Sequence, residues 1–372
     1  VFHPFQIEQF MSENEQAVRF NFSESGVHPL TLGELLEIAG RDPGELLSTS
    51  LNYPEVNGLE KLRERIAALY AGAGPDNVLV TVGASEANHL IASTLVEPGD
   101  EVVVQKPTYQ QLSGNAANRG IAVKTVALVE ERGWALDLDE LDAAVGPATR
   151  VLAVVNPNNP TGHIFTAAEM DAVVRAAERV GAWIVADEVY AGAERERDEP
   201  TPSFWGRYDR VIAVNSMSKA YGLPGLRLGW VVAPLDAVPG LWRRHEYATI
   251  AASMLAMELA TLALSPDVRP KLTARARRLI RHGFDVLAEG LAVHPGVFDV
   301  VPPQASAISF VGYRLPIGSV ELAERLVAEQ SLLVVPGRYF GLDGHFRFSS
   351  ALPEPYLREG LARLNALVAS LA

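Results

Sequence analysis

Between Asn77 and Lys219 the chain returns repeatedly to short, almost uninterrupted apolar runs: "NVLVTV", "DEVVVQ", "RVLAVV", "AWIVA" and "DRVIAV". Around and between them lie helical patterns such as "NGLEKLRERIAALYA", "SEANHLIASTLV" and "AAEMDAVVRAAERVG". A strand that is apolar on both faces must be covered on both, and parallel strands need a crossover between them. The alternation therefore predicts an α/β fold, with a mostly parallel sheet in a large domain covered by helices. In such sheets ligands sit beyond the carboxyl ends of the strands.

Polar residues gather at those ends. Gly83-Ala84-Ser85 follows the first run, Tyr109 the second and Asn156 to Gly162 the third. Asp187 ends the fourth, and Ser216 to Lys219 follow the fifth. This convergence is more than loop composition explains. After about residue 245 the pattern changes: the Arg-rich helical stretch "RPKLTARARRLIRHGFDVLAEGLA" precedes short strand-like segments in "ASAISFVGY", "SLLVVPG" and "HFRFSS". That predicts a smaller α+β domain over residues 246–372, opened by an interdomain helix. The large domain then covers 46–245, and residues 1–45 form an N-terminal arm that joins the smaller domain.

Charge narrows the possible partners. The 372 residues hold 45 acidic and 32 basic side chains, a net −13, which argues against general binding to nucleic acid or anionic membranes. A local basic pocket for a small anion remains open. With no cysteine there is no disulfide, thiolate metal site or cysteine nucleophile, and the eight histidines show no metal spacing. The nearest approach to a membrane span is Tyr247 to Ser265, but Glu258 and many small residues predict a buried packing helix. The polar, acidic opening has no secretory pattern, so the expected location is cytoplasmic.

Elimination singles out one lysine of five. Lys61 sits on the polar face of a helix, Lys106 precedes a proline, Lys124 lies in an edge-like segment and Lys271 begins a basic helix. Only Lys219 lies in a strand-end loop, between Ser216, Ser218 and "GLPGLRLG". Asp187 closes an apolar strand, where a carboxylate is costly unless paired. Arg347 stands among apolar neighbours in "HFRFSS", where an interior arginine needs an anion.

In this order and spacing "NPNNPTG", "DEVY" and "SMSKAYGLPGLRLGW" resemble the class I and II aminotransferases of pyridoxal-phosphate fold type I, from about Tyr53 to Arg347. The resemblance implies pyridoxal 5'-phosphate as cofactor, held as a Schiff base on Lys219. It assigns Ser216, Ser218, Arg227 and the Gly83-Ala84-Ser85 turn to the phosphate. A guanidinium, hydroxyls and helix N–H groups suit a dianion. Asp187 is implied against the pyridine nitrogen, Tyr190 and Asn159 at the phenolate oxygen, and Tyr109 stacked on the ring. Tyr53 is implied to reach a phosphate across a subunit interface, which makes the expected enzyme a homodimer. Arg347, with Gly26 and Asn159, is implied to hold the substrate carboxylate.

The reading that follows is an aminotransferase passing the amino group of an L-amino acid to an oxo acid, with Lys219, Asp187 and Tyr190 as catalytic residues. A second likeness, of "SESGVHPLTLGEL" and "LLVVPGRYFG" to capreomycidine-synthase-like enzymes, implies elimination and cyclisation of a hydroxylated arginine instead. A non-catalytic pyridoxal-phosphate-binding regulator is a third reading, disfavoured by the acidic charge. Glu24, Glu194 and Glu196 are candidates to favour a cationic substrate, although "AERERDE" also reads as a solvated loop. His28 lines an entrance or caps a turn, and Arg338 reads as a solvated or structural arginine.

Overall fold

Each apolar run becomes a strand in the computed structural model, which describes residues 2–371. The N-terminal part holds α1 (Gln6–Asn14), β1 (Phe20–Asn21) and α2 (Leu32–Ala39). Then come α3 (Glu60–Ala67), β2 (Val78–Thr81), α4 (Gly83–Leu95), β3 (Glu101–Lys106), α5 (Gln111–Asn118) and β4 (Ala122–Val129). They are followed by β5 (Ala135–Leu136), α6 (Leu138–Ala144), β6 (Thr149–Val155), α7 (Ala167–Val180) and β7 (Trp183–Asp187). The main sheet ends with β8 (Val211–Ser216) and β9 (Gly229–Val232). Next are α8 (Val238–Ala248), α9 (Met254–Ala263) and α10 (Arg269–Leu291). The C-terminal part adds β10 (Phe298–Val300), β11 (Ile308–Tyr313), α11 (Ser319–Gln330), β12 (Leu332–Leu333), β13 (Val335–Pro336), β14 (His345–Ser349) and α12 (Glu354–Leu371).

The main sheet has eight strands in the order β2-β9-β8-β7-β6-β3-β4-β5. The pairs from β8 through β4 are parallel, while β9 is antiparallel to both β8 and β2. Two antiparallel steps leave β2 pointing the same way as β8. The carboxyl ends of β2, β3, β6, β7 and β8 therefore share one edge of the sheet.

Burial follows the pleat. Val103, Leu152, Val154, Ile184 and Ala186 pack on one face with Met170, Val173 and Ala176 of α7. Their neighbours Val102, Val104, Val151, Ala153 and Val185 pack on the other with Ala87, Leu90 and Ile91 of α4. Residues that alternate along a strand must point to opposite faces, so both faces are core.

The C-terminal part builds a second, four-stranded antiparallel sheet in the order β10-β11-β14-β13. The N-terminal segment joins it: β1 pairs in parallel with β12, and Phe20 and Phe22 lie in its core with Phe346, Phe348 and Leu361. The Tyr247–Ser265 stretch is not one packing helix. Helix α8 ends at Ala248, Ile250 takes a left-handed φ of 69°, and α9 restarts at Met254 after an extended Ser253. Tyr247 is 97% exposed, while Met257 and Ala260 of α9 are buried. No helix among the described residues is long and apolar enough to cross a membrane.

Candidate active site

The shared strand edge opens onto a cavity of about 600 Å³. Its wall contains Ala84, Ser85, Tyr109, Asn159, Asp187, Tyr190, Ser216, Ser218, Lys219, Arg227 and Arg347. These were read from widely separated parts of the chain, and the topology places them around one space. The insertion of β9 is what brings Arg227 in. Gly229 lies opposite Ser216 on one side and opposite Thr81 on the other, so the residues just before β9 fall between the ends of β8 and β2.

At that end the Arg227 Nη1 donates to Ser218 Oγ at 3.4 Å and to the Pro224 carbonyl at 3.1 Å. Arg227 has φ 47°, a left-handed conformation that a non-glycine residue adopts only when its surroundings hold it there. The first turn of α4 lies against it: a Cβ on Gly83, itself at φ 73°, would come within 2.7 Å of Arg227 Nη2. A helix N-terminus, a guanidinium and the Ser216 and Ser218 hydroxyls thus converge into an anion cup.

Lys219 is half-buried, and its Nζ donates to Ser25 Oγ at 2.6 Å. Burial lowers the pKa of its ammonium from the usual lysine value; Glu24, Glu8 and Asp187 oppose the shift and Arg347 adds to it. Gly26 packs against the same loop, where a Cβ would sit 2.8 Å from the Ser218 carbonyl oxygen.

Asp187 is buried at the end of β7, accepting from Asn88 Nδ2 at 3.1 Å and from the Val189 N–H at 3.2 Å. Burial pushes its carboxyl pKa up, against the pull of those donors and of Lys219. The Tyr190 hydroxyl is buried without a hydrogen-bond partner, and burial pushes it up to about 12. Tyr109 lies against Phe5, ring centroids 5.0 Å apart, and its hydroxyl donates to Glu8 Oε1 at 2.6 Å.

Arg347, on β14, is 1% exposed. Its Nη1 donates to Asn159 Oδ1 at 3.2 Å and its Nη2 to the Ser23 carbonyl at 2.5 Å, while Nε has no partner. No carboxylate meets it among the described residues, and burial holds its pKa below the usual arginine value. Such a guanidinium is set to take a carboxylate.

The cavity also holds residues that the sequence motifs did not indicate. Glu8, Met11 and Ser12 come from α1 and Glu15 from the residue that caps it, Ser25 from the loop after β1, and Gln111 from the start of α5. The i, i+3, i+4 spacing of Ile7, Phe10 and Met11, all buried, was the available signal for α1.

Of the acidic candidates only Glu24 lines the cavity. Glu194 does not: it is fully buried and bound by Arg277 through Nε at 3.1 Å and Nη2 at 2.6 Å, which anchors the start of the "AERERDE" run, while Glu196, Asp198 and Glu199 are exposed. Glu196 pairs with Arg195. His28 is outside the lining, its carbonyl taken by Arg275 Nη1, and Arg338 is exposed near Asp343. Tyr53 is 87% exposed and away from this chain's own cavity.

A family model described as aminotransferase class I and II matches residues 39–364. A capreomycidine synthase of Streptomyces vinaceus is 34% identical, covering 96% of this chain and 92% of that relative. An arginine–pyruvate transaminase of Pseudomonas aeruginosa is 29% identical, over 88% of this chain and 84% of the relative. Among solved structures, a PLP-dependent aminotransferase from Streptococcus suis superposes with a TM-score of 0.93 at 32% identity, over 100% and 99% of the two chains. The PLP-dependent cyclase OrfR superposes with a TM-score of 0.89 at 27% identity, over 100% and 98%.

Proposed function

The chain belongs to the class I and II aminotransferases, and from that premise we propose that it transfers the amino group of an L-amino acid with a cationic side chain to an oxo acid. One observation carries the proposal. A single cavity presents an amine of lowered pKa at Lys219, an anion cup at Arg227, and the carboxylate-ready guanidinium of Arg347. The cofactor is pyridoxal phosphate, and the residues fit it: a cup for a dianion, an orphaned phenol at Tyr190, and a buried Asp187 without a close cation other than Lys219. When bound, it supplies an electron sink for the negative charge that develops at the substrate carbon.

In this reading Ser216, Ser218, Arg227 and the N–H groups of Gly83 to Ser85 would hold the phosphate, and Tyr109 would lie against the ring. The Asp187 carboxyl would face the pyridine nitrogen. Tyr190 and Asn159 would donate hydrogen bonds to the phenolate oxygen. Arg347 clamps the substrate carboxylate bidentately, which fixes the orientation of the α-carbon. Lys219 Nζ would hold the cofactor, and as a free amine it would be the base that takes the α proton. The lowering of its pKa matters twice, because only the neutral amine attacks a carbonyl carbon or accepts a proton. Tyr53 is exposed on this chain, as a residue offered to a partner would be, so the working enzyme is a homodimer with shared sites.

Glu8, Glu15 and Glu24 favour a cationic side chain. All three line the cavity, and none forms an ion pair with lysine or arginine among the described residues. Apart from Lys219, Arg227 and Arg347, the lining has no cation to neutralise them. A second reading is favoured by the 34% relative and by OrfR: a hydroxylated cationic amino acid loses its hydroxyl and cyclises on the same residues. Product analysis over a panel of amino acids, with and without an oxo acid, separates the two. Transamination requires the oxo acid for turnover and yields a new amino acid from it. Loss of water from a hydroxylated arginine without an oxo acid supports the second reading.

A further inference from the structure

Outside the cavity lining, one fully buried histidine touches two segments that lead to it. His245, on α8, has Nδ1 at 3.0 Å from Glu86 Oε1 and Nε2 at 3.2 Å from the Val56 carbonyl oxygen. Thr249 Oγ1 also lies 3.4 Å from Nδ1. Thr249 donates its hydroxyl proton to the same Glu86 oxygen at 2.6 Å, and the other carboxylate oxygen accepts the Val82 N–H at 2.6 Å. Burial raises the Glu86 pKa, but the donors His245, Thr249 and Val82 outweigh it and hold the carboxyl below its ordinary value. The ring thus ties Glu86 to the Val56 segment, one through each nitrogen.

The two segments meet the same ligand. Val82 immediately precedes Gly83 and so sets the turn into α4, whose first N–H groups form the anion cup. Val56 lies three residues from Tyr53, in a segment pressed flat on β2. The Val80 N–H donates to the Asn57 carbonyl at 3.0 Å, and a Cβ on Gly58 would come within 2.2 Å of Val80 Cγ2. Without His245, Glu86 would be a buried carboxylate missing one of its three hydrogen-bond donors, in the first turn of α4 and facing the end where a dianion binds.

We infer that His245 is a positioning residue that, through Glu86 and Val56, fixes both phosphate-binding segments: the cup of its own chain and the Tyr53 segment offered to the partner. This rests on the cofactor placement proposed above. The test strips the cofactor and titrates the apoprotein with pyridoxal phosphate, following absorbance, with thermal melting as a check on folding. His245→Phe is expected to raise the Kd about tenfold or more, the scale seen when groups that hold ligands from behind are removed. Adding Glu86→Gln to it should recover most of that loss, since a neutral amide costs less to bury without the histidine than a carboxylate does. If His245→Phe does not fold, His245→Gln, whose amide donates to only one of the two acceptors, gives the same comparison. An unchanged Kd in the single variant, or a double variant no better than the single, overturns the inference. Failure of the unmutated apoprotein to take up the cofactor overturns the placement itself.

Discussion

Replacing Arg347 with alanine removes the one guanidinium in the cavity that is fully buried and has no anion to answer it. Two of its donors are spent on neutral acceptors, Asn159 Oδ1 and the Ser23 carbonyl, and Nε is free. A carboxylate arriving there therefore gains a charge-assisted, two-point contact from a guanidinium that is itself only 1% exposed. Breaking a buried charged contact of this kind costs about 2–5 kcal/mol, roughly thirtyfold to several thousandfold in affinity. Arg347→Lys keeps the charge but loses the fork, and should fall between the two. The assay is a titration of the bound cofactor's absorbance with amino donor alone, which separates half-saturation from the limiting rate. Half-saturation should rise strongly in Arg347→Ala and the limiting rate should change less. A folded Arg347→Ala protein with unchanged half-saturation refutes the assignment.

Other predictions follow the same geometry. Glu8→Gln with Glu24→Gln should weaken cationic donors about tenfold while leaving neutral ones nearly unchanged; equal effects on both classes contradict the acidic wall, read from KM over paired substrates. Mixing Lys219→Ala and Tyr53→Ala subunits should restore activity that neither variant has alone, because one hybrid site regains both residues; no recovery means that Tyr53 does not act in trans. Glu169, which accepts from His163, Leu136 and Thr166, has its pKa lowered from 4.5 to about 2. A depressed carboxylate contributes stability that is present above about pH 4.5 and lost as pH falls toward 2, here about 3 kcal/mol. Denaturant melts should show Glu169→Gln with a flatter pH dependence than the parent over that window, and parallel curves would refute the pairing.

The site residues at strand ends were legible because a parallel sheet forces chemistry to one edge. Asp187 at the end of β7, Ser216 at the end of β8 and Lys219 just after it need only the alternation of runs to be placed together. The motif resemblance then assigned their roles. Arg227 is different: it reaches the cup because β9 inserts antiparallel between β2 and β8, and nothing in "RLGWVV" distinguishes that register from a parallel edge strand. Glu8 and Glu15 escaped because α1 is an ordinary amphipathic helix in sequence. Its docking, through Ile7 and Met11 against Phe310 and Val335, depends on residues some 300 positions away. Glu194 misled because its partner Arg277 is distant in sequence, so a buried ion pair looked like a charged loop.

The proposed chemistry requires that Lys219 carry the cofactor. Borohydride reduction of the yellow holoenzyme, followed by digestion and mass analysis, reads this directly. The expected result is a single modified peptide, the one containing Ser216, Ser218 and Lys219, with no labelling in Lys219→Ala. A cofactor fixed to a peptide bearing Lys61, Lys106, Lys124 or Lys271 would contradict it.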